Sequence, residues 1–317
     1  MRAVVYDRYG PPEVLRVEHV EMPTPKRDQV LVEVLATSVN LSDWESLVGW
    51  PAYARFGGVR RPARRVLGSD IAGRVTAIGS AVTAFKPGDA VYGDNLGLKG
   101  GFAEYAVAPA SVLALKSSSL TFAEASTIPQ AGAIALQGTA GAGPGTRVLV
   151  NGGGGGTGMF AIQVAKHAGA HVTGVDNAGK LDHMRSLGAD EVLDFRRDDF
   201  TRQQPYDLVL DLVAHRSVRD CRRALAPGGR YLCVGGPART GLNVLVSGAV
   251  VGRLSGRRIG VLAVKPGPAH FGPLAQRCVT GEVTIHVDRT FTLDEVPEAL
   301  AHVGGGRALG KVVVVPG

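Results

Sequence analysis

Apolar and polar positions alternate along the first part of the chain, and then the period changes. The segments AVVYD, VLRVEHV, QVLVEVLATSV, IAGRVTAIG, DAVYG and FAEYAV alternate or run apolar, with Gly-Pro, Pro-Thr-Pro and Pro-Gly-Asp between them. Residues 1 to about 115 therefore predict short strands joined by turns. One short helix is expected to start at Ser42 as its cap, with Asp43, Trp44 and Glu45 in the first turn. From Thr121 the period becomes helical, and Thr121-Phe-Ala-Glu124 has the form of a capping box. Strands are then expected near 147–151, 171–175, 191–194, 207–211, 229–235 and 259–264. Helices fall between them near 157–168, 179–187 and 215–225. That alternation predicts a doubly wound α/β domain with a parallel sheet. After about Pro266 the pattern is mixed: a helix near 270–280, a strand near 286–291, a helix near 294–302 and a final strand in GKVVVVPG. The final strand is expected to rejoin the first domain.

The most informative stretch is RVLVNGGGGGTGMFAIQVAKHAGAHVTGVD, residues 147–176. An apolar strand breaks into glycines, reopens as an amphipathic helix and leads to a second strand ending in Asp176. A pyrophosphate needs a tight turn without Cβ atoms, close backbone approach and a helix N-terminus facing the anion. Gly152, Gly155 and Gly158 have a G-x-x-G-x-x-G spacing. With Gly156 and Thr157 they are the candidate cofactor turn, and the flanking strand and helix lift them above an ordinary Gly-rich loop. A carboxylate at the tip of the second strand accepts hydrogen bonds from ribose hydroxyls and repels the extra phosphate of NADP. Asp176 has that place; its other reading is a cap on the helix that follows. Asn177, Ala178 and Gly179 come next, with no arginine among them, and then Lys180. NAD(H) is favoured, and Lys180 leaves NADP(H) open.

Composition narrows the class. The chain has 317 residues, of which 45% are hydrophobic and 20% charged, enough for two domains with a sizeable core. No apolar run approaches the ~18 residues of a membrane helix, and MRAVVYDRYG lacks the apolar region of a secretory signal. No membrane partner is expected. Cys221, Cys233 and Cys278 are widely spaced, which gives no disulfide or zinc pattern and suits a reducing cytoplasm. The net charge of +7 owes much to Arg55, Arg60, Arg61, Arg64 and Arg65 and to Arg253, Arg257 and Arg258. Such clusters attract anions or are solvated faces. No nucleic-acid motif accompanies them, so the expected partner is a small molecule, with an anionic one favoured if the arginines face it.

Together VLGSDIAGRVTAIGSAVTAFKPGDAVYG, GGFAEYAVAP and GTRVLVNGGGGGTGMFAIQVAKHAGA resemble the medium-chain dehydrogenase/reductase superfamily, over nearly the whole chain. VNLSDW, GGVRRPARRVLG and VTGVDNAGKLDHMRSLGADEVLDF carry a narrower likeness to its zinc-free quinone oxidoreductase branch. The resemblance implies a GroES-like β-barrel catalytic domain, 1–116 rejoined by 267–317, and a Rossmann domain, 117–266. It implies nicotinamide and substrate in a cleft between them, and a homodimer built on Rossmann edge strands and adjacent segments. Zinc alcohol dehydrogenases of the superfamily have a Cys and a Gly-His-Glu motif where this chain has Asn40 and Ser69. Neither is a usual zinc ligand. The four-cysteine lobe is replaced by GDNLGLKGG. No metal is expected.

Without a metal, hydride transfer relies on positioning and on hydrogen bonds to the developing charge. An electrophile that is already activated, a quinone or a conjugated carbonyl, suits such a site. The resemblance puts Asn40 and Asp43 at the cleft floor, Asn40 as a donor to substrate and Asp43 as a residue ordering the loop. Tyr53 is the candidate proton donor, and Trp44, Trp50 and Tyr53 either line an aromatic slot or pack in the core or at a domain interface. Val234, Gly235 and Gly236 end a strand on the cofactor side. Lys311 matches a position near the cofactor in relatives; its other reading is a solvated charge on an edge strand. Two departures stand out. Ile134 replaces a Thr that hydrogen-bonds the nicotinamide side, and Asn177-Ala178-Gly179 replaces the Ser-Thr-Arg of NADPH-using relatives. They keep open a cofactor-binding protein with a non-redox, regulatory or structural role. Alcohol dehydrogenation is a weaker alternative, because it normally leans on zinc.

Overall fold

In this computed structural model, residues 1–55 and 58–317 are described, and they divide into two compact units. The first comprises Met1–Ala133, Lys265–Gly281 and Ile285–Gly317; the second comprises Ile134–Val264 and Glu282–Thr284.

The first unit is built on a seven-stranded sheet whose longest strand is Gln29–Val39. Its valines and leucines are buried almost throughout, with Val30, Val32 and Val34 in one core and Val39 in another, and both edges of the strand are paired. Asp70–Ile78 and Tyr105–Pro109 pair with it antiparallel. The closing strand Lys311–Val315 pairs antiparallel with its C-terminal part, so the end of the chain does rejoin the first unit. Val287–Thr292 completes that edge, parallel to Lys311–Val315. One core packs Val30, Val32, Ile71 and Val91. A second packs Val4, Leu47, Phe102, Leu300 and Val312 under the helices Leu41–Val48 and Val296–Gly304. The capping box at Thr121 forms as read: its hydroxyl accepts from the Glu124 amide, 3.1 Å, and the Glu124 carboxylate accepts from the Thr121 amide, 2.8 Å.

The second unit holds six parallel strands. Their order is Glu191–Asp194, His171–Asp176, Arg147–Asn151, Tyr206–Asp211, Leu225–Cys233 and Arg258–Val261. The first strand in the chain lies centrally, and the chain winds to one edge and then to the other. That is the doubly wound order, with its switch point beside Arg147–Asn151.

Several expectations need correction. The first helix begins at Leu41 and its cap is Asn40, not Ser42. Asn40 is extended, at φ −110° and ψ 157°, and its amide donates to the Asp43 carboxylate, 3.1 Å, while the Ser42 hydroxyl faces Gln130. The strand expected at 229–235 runs Leu225–Cys233, so Val234, Gly235 and Gly236 lie in the loop beyond its end. Between Cys233 and Arg258, where no helix was expected, residues 238–254 are helical. Glycines at 241, 248 and 252 lower helix propensity there, and apolar residues on both faces erase the amphipathic contrast.

Two glycines separate packing from propensity. Gly304 closes the helix Val296–Gly304, and a Cβ on it would overlap the Trp44 ring. Gly304→Ala should cost about 1–3 kcal/mol by overpacking. Gly241 lies in the Ala238–Asn243 helix with nothing within 4 Å of the Cβ position. Gly241→Ala should stabilise by about 0.5–1 kcal/mol. Urea unfolding of both variants checks the opposite signs.

Candidate active site

In the second unit the strand Arg147–Asn151 ends in the glycine turn, and the helix Gly158–His167 starts from it. Gly152 has φ +86°, a left-handed conformation that suits glycine. The Gly152 and Gly153 amides donate to the Val175 carbonyl at 2.8 and 3.0 Å, which folds the turn over the neighbouring strand. A Cβ on Gly158 would lie 2.6 Å from the Gly153 Cα, so the helix can begin this close to the turn only with glycine there. A Cβ on Gly154 would lie 2.7 Å from Lys180 Cβ, whereas one on Gly155 meets only an ordinary 3.5 Å contact. The spacing argument chose Gly155; the packing makes Gly154 the tighter position. The result is a cradle of bare backbone at a helix N-terminus, which fits a dinucleotide pyrophosphate.

Asp176 is fixed beside this turn. One carboxylate oxygen accepts from the Gly154 amide, 3.1 Å, and the other from the Asn177 amide and side chain, 2.8 and 3.1 Å. The cap of the following turn is Asn177, whose side chain accepts from Gly179 at 3.1 Å, so Asp176 does not serve as that cap. Lys180 is buried, with its ammonium 3.7 Å from Asp176. Gly235 and Gly236 have φ of +70° and +85°, and the Val234 amide donates to the Asp211 carbonyl, 2.9 Å. The side chain of Asp211, which the sequence marked only as a strand end, is a buried organiser. It accepts from Asn151 Nδ2 at 2.7 Å, from the Val213 and Ala214 amides, and from the Tyr231 hydroxyl.

The first unit has a buried polar cluster. Lys311 is 2% exposed, and its ammonium donates to Asn40 Oδ1, 2.8 Å, with Asp70 Oδ2 at 3.8 Å. Asn40 Nδ2 donates to Asp70 Oδ2, 2.9 Å, and to the Ser69 hydroxyl, 3.2 Å. Asp70 Oδ1 accepts from the Gln130 amide, 3.1 Å, at the start of the helix Pro129–Gly138. Burial pushes the Asp70 carboxyl up, to about 7, against the pull of Lys311; burial pulls the Lys311 ammonium down, against Asp70. Asp43 accepts from the Gly68 amide at 3.2 Å and has Lys99 at 3.6 Å, so its carboxylate ties two loops together. The Tyr53 hydroxyl, on the turn Ala52–Arg55, donates to Glu45 Oε1 at 3.0 Å. Burial raises the Glu45 carboxyl to about 7, although Tyr53 and Lys99 oppose the rise. Glu45 was not singled out in the sequence beyond its place in a helix turn. Nothing in its spacing signals the tyrosine on the next turn of chain.

Ile134 is half-buried in the helix Pro129–Gly138. Arg60, Arg61, Arg64 and Arg65 are exposed, and Arg65 pairs with Asp7 and Glu18. The cysteines are free thiols, and burial raises all three, Cys221 and Cys278 to about 12 and Cys233 to about 11.

The Alcohol dehydrogenase GroES-like domain family matches residues 26–118, and the Zinc-binding dehydrogenase family matches residues 187–314. A 2-methylene-furan-3-one reductase of Solanum lycopersicum is 33% identical over 100% of this chain and 79% of its own length. An NADPH-dependent alkenal/one oxidoreductase of Arabidopsis thaliana, chloroplastic, is 32% identical over 100% of this chain and 80% of its own. Among solved structures, a quinone oxidoreductase from Coxiella burnetii superposes with a TM-score of 0.90 at 28% identity, covering 100% of this chain and 99% of that one. The second family's description raises zinc, and the residues do not fit it. The two positions matching the ligands hold a neutral amide and a hydroxyl, and an ammonium sits 2.8 Å from the amide oxygen, where it would repel a metal ion. Among the described residues no group of three His, Cys, Asp or Glu is arranged to hold a metal.

Glu45 sets a pH dependence. Its carboxyl is raised in the folded protein to about 7, so the folded state holds the proton longer than the unfolded chain does. The associated stability is present below the unfolded value, about 4.5, and is lost as pH rises through about 7. Thermal unfolding of Glu45→Gln should therefore fall less than wild type between about pH 5 and about pH 8. Equal slopes would show that burial does not hold this proton.

Proposed function

The chain belongs to the medium-chain dehydrogenase/reductase superfamily, in its quinone oxidoreductase branch, and from that premise we propose a zinc-independent reduction of quinones or conjugated carbonyls with hydride from NAD(P)H. It is an oxidoreductase that uses a nicotinamide cofactor. The observation that carries the zinc-independent reading is the Lys311 ammonium on Asn40, at the positions where zinc relatives hold their metal. We assign catalysis to 1–116 with 267–317 and the cofactor to 117–266. Gly152, Gly155, Gly156, Thr157 and Gly158 would hold the pyrophosphate, with Gly153 and Gly154 completing the cradle. Val234, Gly235 and Gly236 would line the nicotinamide end. When bound, the cofactor supplies the hydride.

The protein's own contribution is a proton and a fixed polar surface. Both Asn40 amide hydrogens and its carbonyl are engaged within the first unit, which supports a positioning role for Asn40, Asp43 and Lys311. Lys311 is thus read as part of this cluster, in place of the cofactor contact that the resemblance suggests. Tyr53 is 46% exposed and is the group we assign to proton delivery. Glu45, protonated below about pH 7, can return the proton to the Tyr53 oxygen. An activated acceptor suits these groups, because delocalisation spreads the incoming charge that a metal would otherwise stabilise. A homodimer is supported by the open edge strand Arg258–Val261, and a reducing compartment by the free thiols.

Asp176 and the burial of Lys180 support a preference for NADH, although the Arabidopsis relative is named for NADPH. Asp176→Ser should narrow the preference at least about tenfold, by removing a charge that opposes the 2′-phosphate. Titration of cofactor fluorescence reads it, and tighter binding of NADPH by the wild type would refute it.

The functional reading is tested with three acceptors of similar size: a quinone, an enone and a saturated ketone. The first two should be reduced and the third should not. Tyr53→Phe should lower kcat on the enone by about 10²-fold or more with little change in KM. Faster turnover of the saturated ketone would overturn the reading. No turnover of any acceptor would favour the non-redox role that Ile134 and the altered ribose loop leave open.

A further inference from the structure

Two aspartates stand directly opposite one another in the sheet of the first unit. Asp70 opens the strand Asp70–Ile78, and Asp94 ends the strand Ala90–Asp94. The strands run antiparallel, and Asp70 is the register partner of Asp94. Residues so paired project from one face with Cβ atoms about 4.5–5.5 Å apart, where like charges repel. Water would screen that repulsion, but Asp70 is fully buried and Asp94 is half-buried. Gln130 joins the two. Its amide donates to Asp70 Oδ1, 3.1 Å, and its side chain hydrogen-bonds Asp94, while its Oε1 accepts from the Ser42 hydroxyl, 3.0 Å. The Leu96 amide donates to Asp94 Oδ1, 3.0 Å.

The charges around the pair do not balance. Asp43 faces it from the helix Leu41–Val48, Lys99 from the loop after Asp94, and Lys311 from the closing strand. Lys99 lies 3.6 Å from Asp43, and Lys311 lies 3.8 Å from Asp70. Two ammonium groups therefore face three carboxyl groups, and the remaining neighbours, Ser38, Asn40 and Gln130, are neutral. Burial pushes the Asp70 carboxyl up, to about 7, with Asp94 adding to the rise and Lys311 opposing it. Burial also pushes Asp94 up, to about 6; Asp43 adds to that rise, and the Leu96 amide, Gln130 and Lys99 oppose it. We propose that Asp70 and Asp94 hold one proton between them near neutral pH, and that this proton makes the polar cluster around Asn40 and Lys311 sensitive to pH. The shared proton removes the repulsion across the strands and leaves one negative charge for Lys311. Asp94, the half-buried member, is the way in from solvent. It is a positioning residue, acting on Asn40 and Lys311 through Asp70 and Gln130. None of this depends on which acceptor is reduced.

Infrared difference spectra taken as pH rises from about 5 to about 8 test this without any reference to turnover, since a protonated carboxyl has a carbonyl stretch that a carboxylate lacks. The full-length Glu45→Gln chain is the reference, because Glu45 titrates in the same range. It should lose the acid band in two steps. Asp94→Asn, made in that chain, should leave one step, at least about one pH unit below the upper step of the reference, because the opposing charge is gone. Asp94→Glu should restore two steps. Thermal unfolding is the second readout. Both carboxyls are raised above the unfolded value of 3.8, so the stability they carry is present below it and is lost as pH rises through about 6 and about 7. The reference should therefore lose more stability than its Asp94→Asn variant between about pH 5 and about pH 8. No acid band in the reference above about pH 5 would overturn the proposal, as would an upper step that Asp94→Asn leaves in place. Should Asp94→Asn not fold, a single step in the reference overturns it and two steps sustain it.

Discussion

A buried ammonium must be compensated wherever it lies, and that requirement organises the first unit. Lys311 comes from the last strand of the chain, and Asn40 from the end of the longest strand, 271 positions away. Taking the ammonium out of water is tolerable only if carbonyl and carboxylate oxygens replace its hydration. The Asn40 carbonyl and the Asp70 carboxylate do so, and each is then committed. Asn40 must present its oxygen to Lys311 and its amide hydrogens to Asp70 and Ser69. Asp70 is left to receive the first turn of the helix at Pro129. One burial therefore fixes the closing strand, the end of the longest strand and a helix start in one arrangement.

The same cluster explains what can replace a metal at these positions. A catalytic zinc site needs thiolate, imidazole or carboxylate donors and an open coordination place. Here the donors are an amide and a hydroxyl, already hydrogen-bonded, and the positive charge is a side chain covalently part of the fold. Its charge stands at a fixed point, held by the Asn40 and Asp70 oxygens against the burial that pulls the ammonium down. Such a site favours acceptors that carry their own activation. Next to it in the chain, Glu45 and Tyr53 form a partly exposed pair with a proton held near neutrality by burial.

How far the sequence reveals this depends on range. Elements set by local pattern were legible: the parallel strands, the capping box at Thr121 and the turn at Gly152 each rest on residues within a few positions of one another. Misread features depend on partners elsewhere. Residue types alone point to Ser42 as the cap, because the bond that the Asn40 amide donates to the Asp43 carboxylate cannot be seen in them. The 238–254 helix was missed because its packed face uses glycine and its bare face uses leucine and valine, so no polar stripe marks the period. Within the candidate site, Asp176 and the glycine turn were legible from the strand–turn–helix order. The engagement of Lys311 with Asn40 was not, since only the folded chain joins its two ends. Spacing selects Gly155 and is silent on Gly154, because it does not report where Lys180 packs.

Metal content and rate measured on one preparation test the central claim most directly. The protein is treated with a strong chelator, freed of it, analysed for zinc and then assayed with nicotinamide cofactor and an enone. The expected result is less than about a tenth of a zinc per chain and an undiminished rate, because the fixed charge belongs to Lys311. Zinc near one per chain before treatment, with the rate lost on its removal and regained on its return, would contradict it.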